Sequence, residues 1–285
     1  GPNYQRPPVN LPATYPEAGP AAAMPLGVPA NWWRLYSDPL LDTLVEAGMQ
    51  GNADVRLAIA RIDETEAYMR EVNAATFLPQ IDGSGAAGRT QVSSRTGTLP
   101  PTISGLRNNF ELAARTSFEV DFWGRLRRAR EAAQAQLVAT RYARDVVALT
   151  LAAGIAQTYF NVRAFDAQIV VSQETLETAE ASLDIARKRA QAGLVSDLDV
   201  NQSDANRAQL AAQLNDLRRQ RAATVHRLGL LTGMLDLRIP PGDVRTLPIP
   251  PLPPAGLPAT LLERRPDVSQ AEAALTAANA QIGVA

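Results

Sequence analysis

The chain has 285 residues, 28 basic and 29 acidic side chains, and a formal net charge of −1. That balance excludes the basic footprint of a nucleic-acid binder, and the absence of cysteine excludes disulfides, thiol catalysis and cysteine-ligated metals. Aromatic residues make up only 5 % of the chain while Ala and Leu are abundant, a bias that suits long, closely packed helices.

Residues 1–36 are rich in Pro, Gly and Ala and are predicted to form an extended arm. Residues 37–78 read as a helix pair. Asp38 is placed to cap the first helix, with Pro39 at its first position. Gly51-Asn52 breaks that helix, Asn52 caps the second, and Phe77-Leu78-Pro79 ends it.

Residues 79–122 change period and predict a β-hairpin. From Asn109 to Asp121, Phe110, Leu112, Ala114, Thr116, Phe118 and Val120 alternate with Asn109, Glu111, Ala113, Arg115, Ser117 and Glu119. That pattern is a strand with one apolar and one mostly polar face. The partner strand, from Ile81 to about Val92, is Gly-rich and weaker, and a polar loop containing Pro100-Pro101 joins the two. On this stretch alone a half-buried soluble sheet is the favoured reading. Phe122-Trp123 marks the passage from strand to helix, where aromatic residues suit the edge of a membrane barrel's apolar band or simple junction packing.

Residues 123–233 predict a long α-hairpin. Arg125 to Ala192 contains no proline and one glycine, Gly154, and makes a helix of roughly 100 Å. Gly193 can end it, and Ser196 with Asp199 has the spacing of a capping box for the next helix, Asp197 to about Thr232. Leu210, Leu214, Leu217, Leu228 and Leu231 follow coiled-coil spacing, with Arg221 interrupting the seam. The turn leaves Leu194 and Val195 at the apex.

Residues 234–258 form a Pro-rich link, and 259–285 open a new helix at Arg265-Pro266-Asp267-Val268. Sliding residues 54–72 onto 267–285 matches Asp54 with Asp267, Val55 with Val268, Ala58 with Ala271, Ala60 with Ala273 and Ala67 with Ala280. A second repeat therefore starts here and is expected to be cut short. No catalytic constellation, phosphate-binding glycine loop or His-Glu metal motif is present, and no cofactor is expected. The single histidine, His226, lies within a helix and reads as an ordinary surface or seam residue.

Several ordered segments together resemble the outer membrane factors of tripartite efflux systems, the TolC family, in its NodT-like lipoprotein branch. They are Gly1-Pro2-Asn3-Tyr4-Gln5-Arg6-Pro7, Asn31-Trp32-Trp33-Arg34-Leu35-Tyr36 with Asp38-Pro39-Leu40, Phe77-Leu78-Pro79-Gln80-Ile81, and Ser117 to Ala133. Ala192 to Val200, Leu228 to Gly233 and Arg264 to Val268 complete the set. The resemblance implies a mainly α fold with a transmembrane β-hairpin. Three subunits would share one β-barrel and one α-helical tube, the α-barrel. It also implies a passive exit duct for small molecules and drugs, not an enzyme, lipid-anchored in the outer membrane with a helical extension into the periplasm. The partners implied are a periplasmic adaptor and an inner-membrane pump. Lipid would be faced by Phe110, Leu112, Phe118, Val120 and Trp123, and the adaptor met by Gly193, Leu194, Val195, Ser196 and Asp197. Two departures stand out: the lipid-bearing cysteine is absent, and most of the second repeat is missing. The rival from the residues alone is a soluble coiled-coil scaffold or adaptor whose strands form a small cap.

Overall fold

The computed structural model describes residues 1–8, 10–12, 29–91, 106–250 and 262–285. The expected Pro100-Pro101 loop, much of the N-terminal arm and part of the Pro-rich link lie outside the described residues. The described chain contains five long helices: α1 (Pro39–Gly51), α2 (Ala53–Phe77), α3 (Arg125–Gln191), α4 (Asp197–Thr232) and α5 (Pro266–Ile282). One sheet accompanies them, β1 (Gln80–Gln91) and β2 (Leu106–Ser117). Two compact units result, one of residues 1–7, 63–139 and 271–285, the other of 8–62 and 140–270.

The first unit holds the hairpin. Its strands pair antiparallel from Gln80↔Ser117 to Gln91↔Leu106, so directly opposed residues share a face. Ile81, Gly83, Gly85 and Ala87 of β1 therefore lie with Thr116, Ala114, Leu112 and Phe110 of β2. Gln80, Asp82 and Ser84 lie with Ser117, Arg115 and Ala113 on the other side. The register thus merges the weak pattern of β1 with the strong one of β2 into a single apolar face, bounded at one end by Arg89 opposite Asn108. Every residue of the two strands is exposed except half-buried Ala113.

The strand expected over Asn109–Asp121 is observed over Leu106–Ser117, so Phe118 and Val120 lie beyond it. The partner sets the limit. Gln80 is the first paired residue of β1, and Pro79 before it has no N–H to offer a ladder. After Ser117 the chain turns. The Phe122 amide donates to the Val120 carbonyl at 2.9 Å, and Gly124 adopts φ 85°, a left-handed conformation that glycine accepts without a Cβ clash. The Asp121 carboxylate then accepts from the Leu126 and Arg127 amides at 3.3 and 3.0 Å, capping α3. Mostly small buried residues make the interior of this unit: Ala132, Ala133 and Ala139 in α3 and Ala273, Ala277 and Ala280 in α5, with Leu126 and Leu137 beside them in α3. The N-terminal residues lie against these helices. Arg128 donates to the Gly1 carbonyl at 3.0 Å, Asn279 donates to the Pro2 carbonyl at 2.9 Å, and Tyr4 and Arg6 both donate to Glu272.

The second unit has a conventional core. Asp38 caps α1 by accepting from the Leu40 amide at 3.0 Å, and Pro39 fills the first helical position. One face of α1, Leu41, Leu44 and Val45, packs with Leu151, Ile155, Tyr159 and Val162 of α3 and Val225 and Leu228 of α4. Asn52 both caps α2, accepting from the Asp54 amide at 2.8 Å, and donates to the Leu231 carbonyl at 3.0 Å. The ends of α1 and α4 approach so closely that a Cβ on Gly233, at φ 73°, would lie 3.1 Å from the Gly51 carbonyl oxygen.

Arg221, read from the sequence as a break in the seam, is satisfied by a buried polar chain. Its Nε donates to Asp166 at 2.5 Å and its Nη2 to the Ile239 carbonyl at 3.0 Å. Arg163 donates to Asp166 at 3.4 Å, to the Pro240 carbonyl at 2.8 Å and to the Tyr159 hydroxyl at 3.0 Å; that hydroxyl donates to Asp38. Asp166 is only 4 % exposed, and breaking a buried pair on one side strands the other charge. Asp166→Ala is therefore expected to cost about 3–5 kcal/mol in urea unfolding. Asp216→Ala, which removes the exposed partner of Arg219, should leave the midpoint unchanged. Equal midpoints for the two variants would refute the structural role of Asp166.

Candidate functional site

Two surfaces stand apart from the core. The first is the apolar face of the hairpin, where Phe110 is 77 % and Leu112 is 92 % exposed. Phe118, Val120 and Trp123 are exposed too, although none of the three belongs to β2. In a monomeric soluble protein these side chains would lie in water with nothing to offset the loss. Strands of 12 residues exceed the 9–11 that cross a bilayer at a tilt.

The second surface is the turn between α3 and α4. Gly193 takes φ 72°, its amide donates to the Ala190 carbonyl, and the Leu194 amide reaches back to the Arg189 carbonyl, closing α3 at two of its terminal carbonyls. Ser196 and Asp199 form the expected reciprocal capping box. The Ser196 hydroxyl and then its amide, both donating to Asp199, hold that carboxyl below its ordinary range. Gly193, Leu194, Ser196 and Asp197 are exposed, whereas Val195, expected at the apex beside Leu194, is half-buried. Leu198, absent from the sequence-based site, is 63 % exposed and joins Leu194 there. Its position one residue into the helix concealed it, because the capping pattern draws attention to Ser196 and Asp199.

The buried polar chain was also missed from sequence. Its only local signal is the i,i+3 spacing of Arg163 and Asp166; the partners Asp38 and Arg221 are remote in sequence. The chain has equal numbers of acids and guanidiniums, two each, and each polar end meets a helix cap, a carbonyl or its opposite charge. It locks α1, α3 and α4 to the segment around Pro240. His226 is exposed on α4, and among the described residues no three potential metal ligands gather. No described helix is long and apolar enough to cross a membrane.

The family described as outer membrane efflux protein matches residues 44–234, two thirds of the chain. The chain belongs to that family. Membership places it in the outer membrane and accounts for a mainly helical fold that carries a β-hairpin. Among relatives, the pyoverdine export outer membrane protein OpmQ of Pseudomonas putida is 32 % identical over 274 residues, covering 95 % of this chain and 57 % of its own. The toluene efflux pump outer membrane protein TtgF of Pseudomonas putida is 30 % identical over 295 residues, covering 100 % and 60 %. Among solved structures, the outer-membrane channel OprN superposes with a TM-score of 0.81 at 28 % identity, over 100 % of this chain and 63 % of that one. The transmembrane channel CusC gives 0.79 at 27 %, over 99 % and 62 %. The efflux-family chain therefore spans about three fifths of these relatives' length.

Tyr159 provides a spectroscopic check on the polar chain. Burial first, and the hydrogen bond to Asp38 second, push its phenol from 10.0 up to about 12. The folded state thus favours the neutral form: the contribution is complete below pH 10 and is lost as pH rises through about 12. Tyr159 should show phenolate absorbance only as pH approaches about 12, a component that Tyr159→Phe removes. Over that window folding stability should fall by on the order of 2 kcal/mol, and Tyr159→Phe should abolish that part of the pH dependence. An absorbance titration that Tyr159→Phe leaves unchanged near pH 12 would contradict the assignment.

Proposed function

We propose that the protein is one subunit of a homotrimeric outer-membrane duct, a passive exit for small molecules and drugs in a tripartite efflux system. The observation that carries this reading is the hairpin register, which collects the large apolar side chains of both strands on one fully exposed face. A barrel closed by neighbouring subunits pairs the two free strand edges and turns that face to lipid, with Phe110, Leu112, Phe118, Val120 and Trp123 outward. The Asp82–Arg115 face then lines the lumen.

The helices support lateral neighbours in the same assembly. From 167 to 191 in α3 only Ala179 and Leu183 are buried, and from 197 to 224 in α4 only Leu214. Val170, Val171 and Ile185 are each about half exposed. Helices this long with so little buried surface gain their packing from further helices of a tube. The turn at Gly193, Leu194, Val195, Ser196 and Asp197 presents exposed Leu194 and Leu198, a contact for the end of a periplasmic adaptor that in turn engages an inner-membrane pump. The pump and adaptor supply energy and selection; the duct carries out no covalent chemistry. Relatives named for pyoverdine and for toluene fit a conduit whose cargo is chosen elsewhere.

In the full-length protein, Leu112→Arg should cost about 2–4 kcal/mol if Leu112 sits near the bilayer midplane, seen as lost trimer in outer membranes. Ala113→Arg, on the lumen face, should assemble normally. Equal assembly of the two variants would rule out the membrane orientation. For the turn, the Leu194→Asp/Leu198→Asp double variant should insert and trimerise yet lose efflux and adaptor crosslinking; retention of both would exclude it as the docking contact.

A further inference from the structure

Where the hairpin meets the helices, exposed aromatic side chains and several arginines lie close together in the chain. Phe77 and Leu78 close α2 just before β1 and are each 63 % exposed; Phe122 and Trp123 precede α3 and are 79 % and 97 % exposed. In the chain, Phe77 and Leu78 come just before the Gln80↔Ser117 pair that ends the ladder, and Phe122 and Trp123 follow it. The first turns of α3 then supply four arginines, and three are already engaged. Arg125 pairs with Glu119, Arg127 with Asp121, and Arg128 with Glu131 and the N-terminal arm. Arg130 is different. It is exposed, its guanidinium lies 5.4 Å from the centroid of the exposed Phe77 ring, and it makes no ion pair among the described residues. Over residues 119–131 the four arginines face three carboxylates, Glu119, Asp121 and Glu131, leaving one surplus positive charge, and the surplus is Arg130.

We propose that Arg130, stacked on Phe77 beside the Phe122–Trp123 girdle, is a binding site for the phosphate of an anionic glycerophospholipid in the membrane leaflet on the helical side. This rests on the membrane reading of the hairpin and specifies which lipid its inner rim takes. Three features argue for a lipid phosphate as the occupant. Phe77, over which Arg130 sits, is three residues from the end of the strand ladder, the place a headgroup takes beside acyl chains covering the hairpin. Its end is aromatic, which suits rings that straddle oil and water. Its one uncompensated charge is a guanidinium, whose planar fork matches phosphate oxygens. Phe77 holds that fork over an exposed ring, where the cation–π contact orients it without neutralising it.

The test is electron spin resonance of spin-labelled lipids on the full-length protein in vesicles of phosphatidylcholine, comparing labelled phosphatidylglycerol with labelled phosphatidylcholine. A fraction of both labels should be immobilised by the barrel, with phosphatidylglycerol preferred. Arg130→Ala should lower that preference by about fivefold at the site, the loss of one guanidinium at an anionic surface. Arg130→Lys should restore part of it, and Asp216→Ala should leave it unchanged. An immobilised lipid fraction with no headgroup preference, or a preference untouched in Arg130→Ala, overturns this site while leaving the membrane reading intact. Absence of any immobilised lipid overturns both. Loss of trimer in Arg130→Ala without headgroup preference in the parent would assign Arg130 to a neighbouring subunit instead.

Discussion

Backbone hydrogen bonding at the open edges of the hairpin is the constraint on which the rest of the molecule turns. Each 12-residue strand pairs on one side only, and almost none of its side chains is buried. In water such a ribbon is marginal, and in lipid its outer N–H and C=O groups would be prohibitively exposed. Closure with copies of the same element removes both problems at once. The same logic extends to the helices: the distal parts of α3 and α4 bury three side chains between them, too few to justify helices of such length alone. The proposed assembly would supply the neighbours these surfaces lack, and membership of the outer membrane efflux family is compatible with it.

Against that incompleteness stands one self-sufficient region. The core around Leu41, Leu44, Ile155, Tyr159 and Leu228 is fully buried, and the Asp38–Tyr159–Arg163–Asp166–Arg221 chain runs beside it with its charges matched. A polar chain of this kind adds little net stability over an apolar replacement, but each broken link is costly, so it fixes one arrangement of the helices. That is useful where long helices of low hydrophobicity could otherwise slide by a turn. The two helix ends that meet at Gly51 and Gly233 fix the same register from the backbone side.

Much of this was legible in the residues. Asp38-Pro39, Asn52, Gly193 and the Ser196–Asp199 pair act locally, within one turn, and each takes the capping role its chemistry suggests. The alternation of β2 was legible for the same reason. Its limits were not: Phe118 and Val120 continue the period, but pairing stops with the partner strand at Gln80, and a partner is a non-local fact. Arg221 looked like a fault in a leucine seam because Asp166 lies 55 residues away. Val195 and Leu198 exchanged their expected prominence at the turn because exposure there depends on how the first turn of α4 is oriented, not on distance from Gly193.

The most direct measurement is a nitroxide scan of β2 from Leu106 to Ser117 in the full-length protein in native-like membranes, recording accessibility to oxygen and to a water-soluble relaxation agent. A period of two is expected, with oxygen favoured at Phe110, Leu112 and Ala114 and the aqueous agent at Asn109, Glu111, Ala113 and Arg115. Uniform aqueous accessibility along the strand would contradict it and place the hairpin in water.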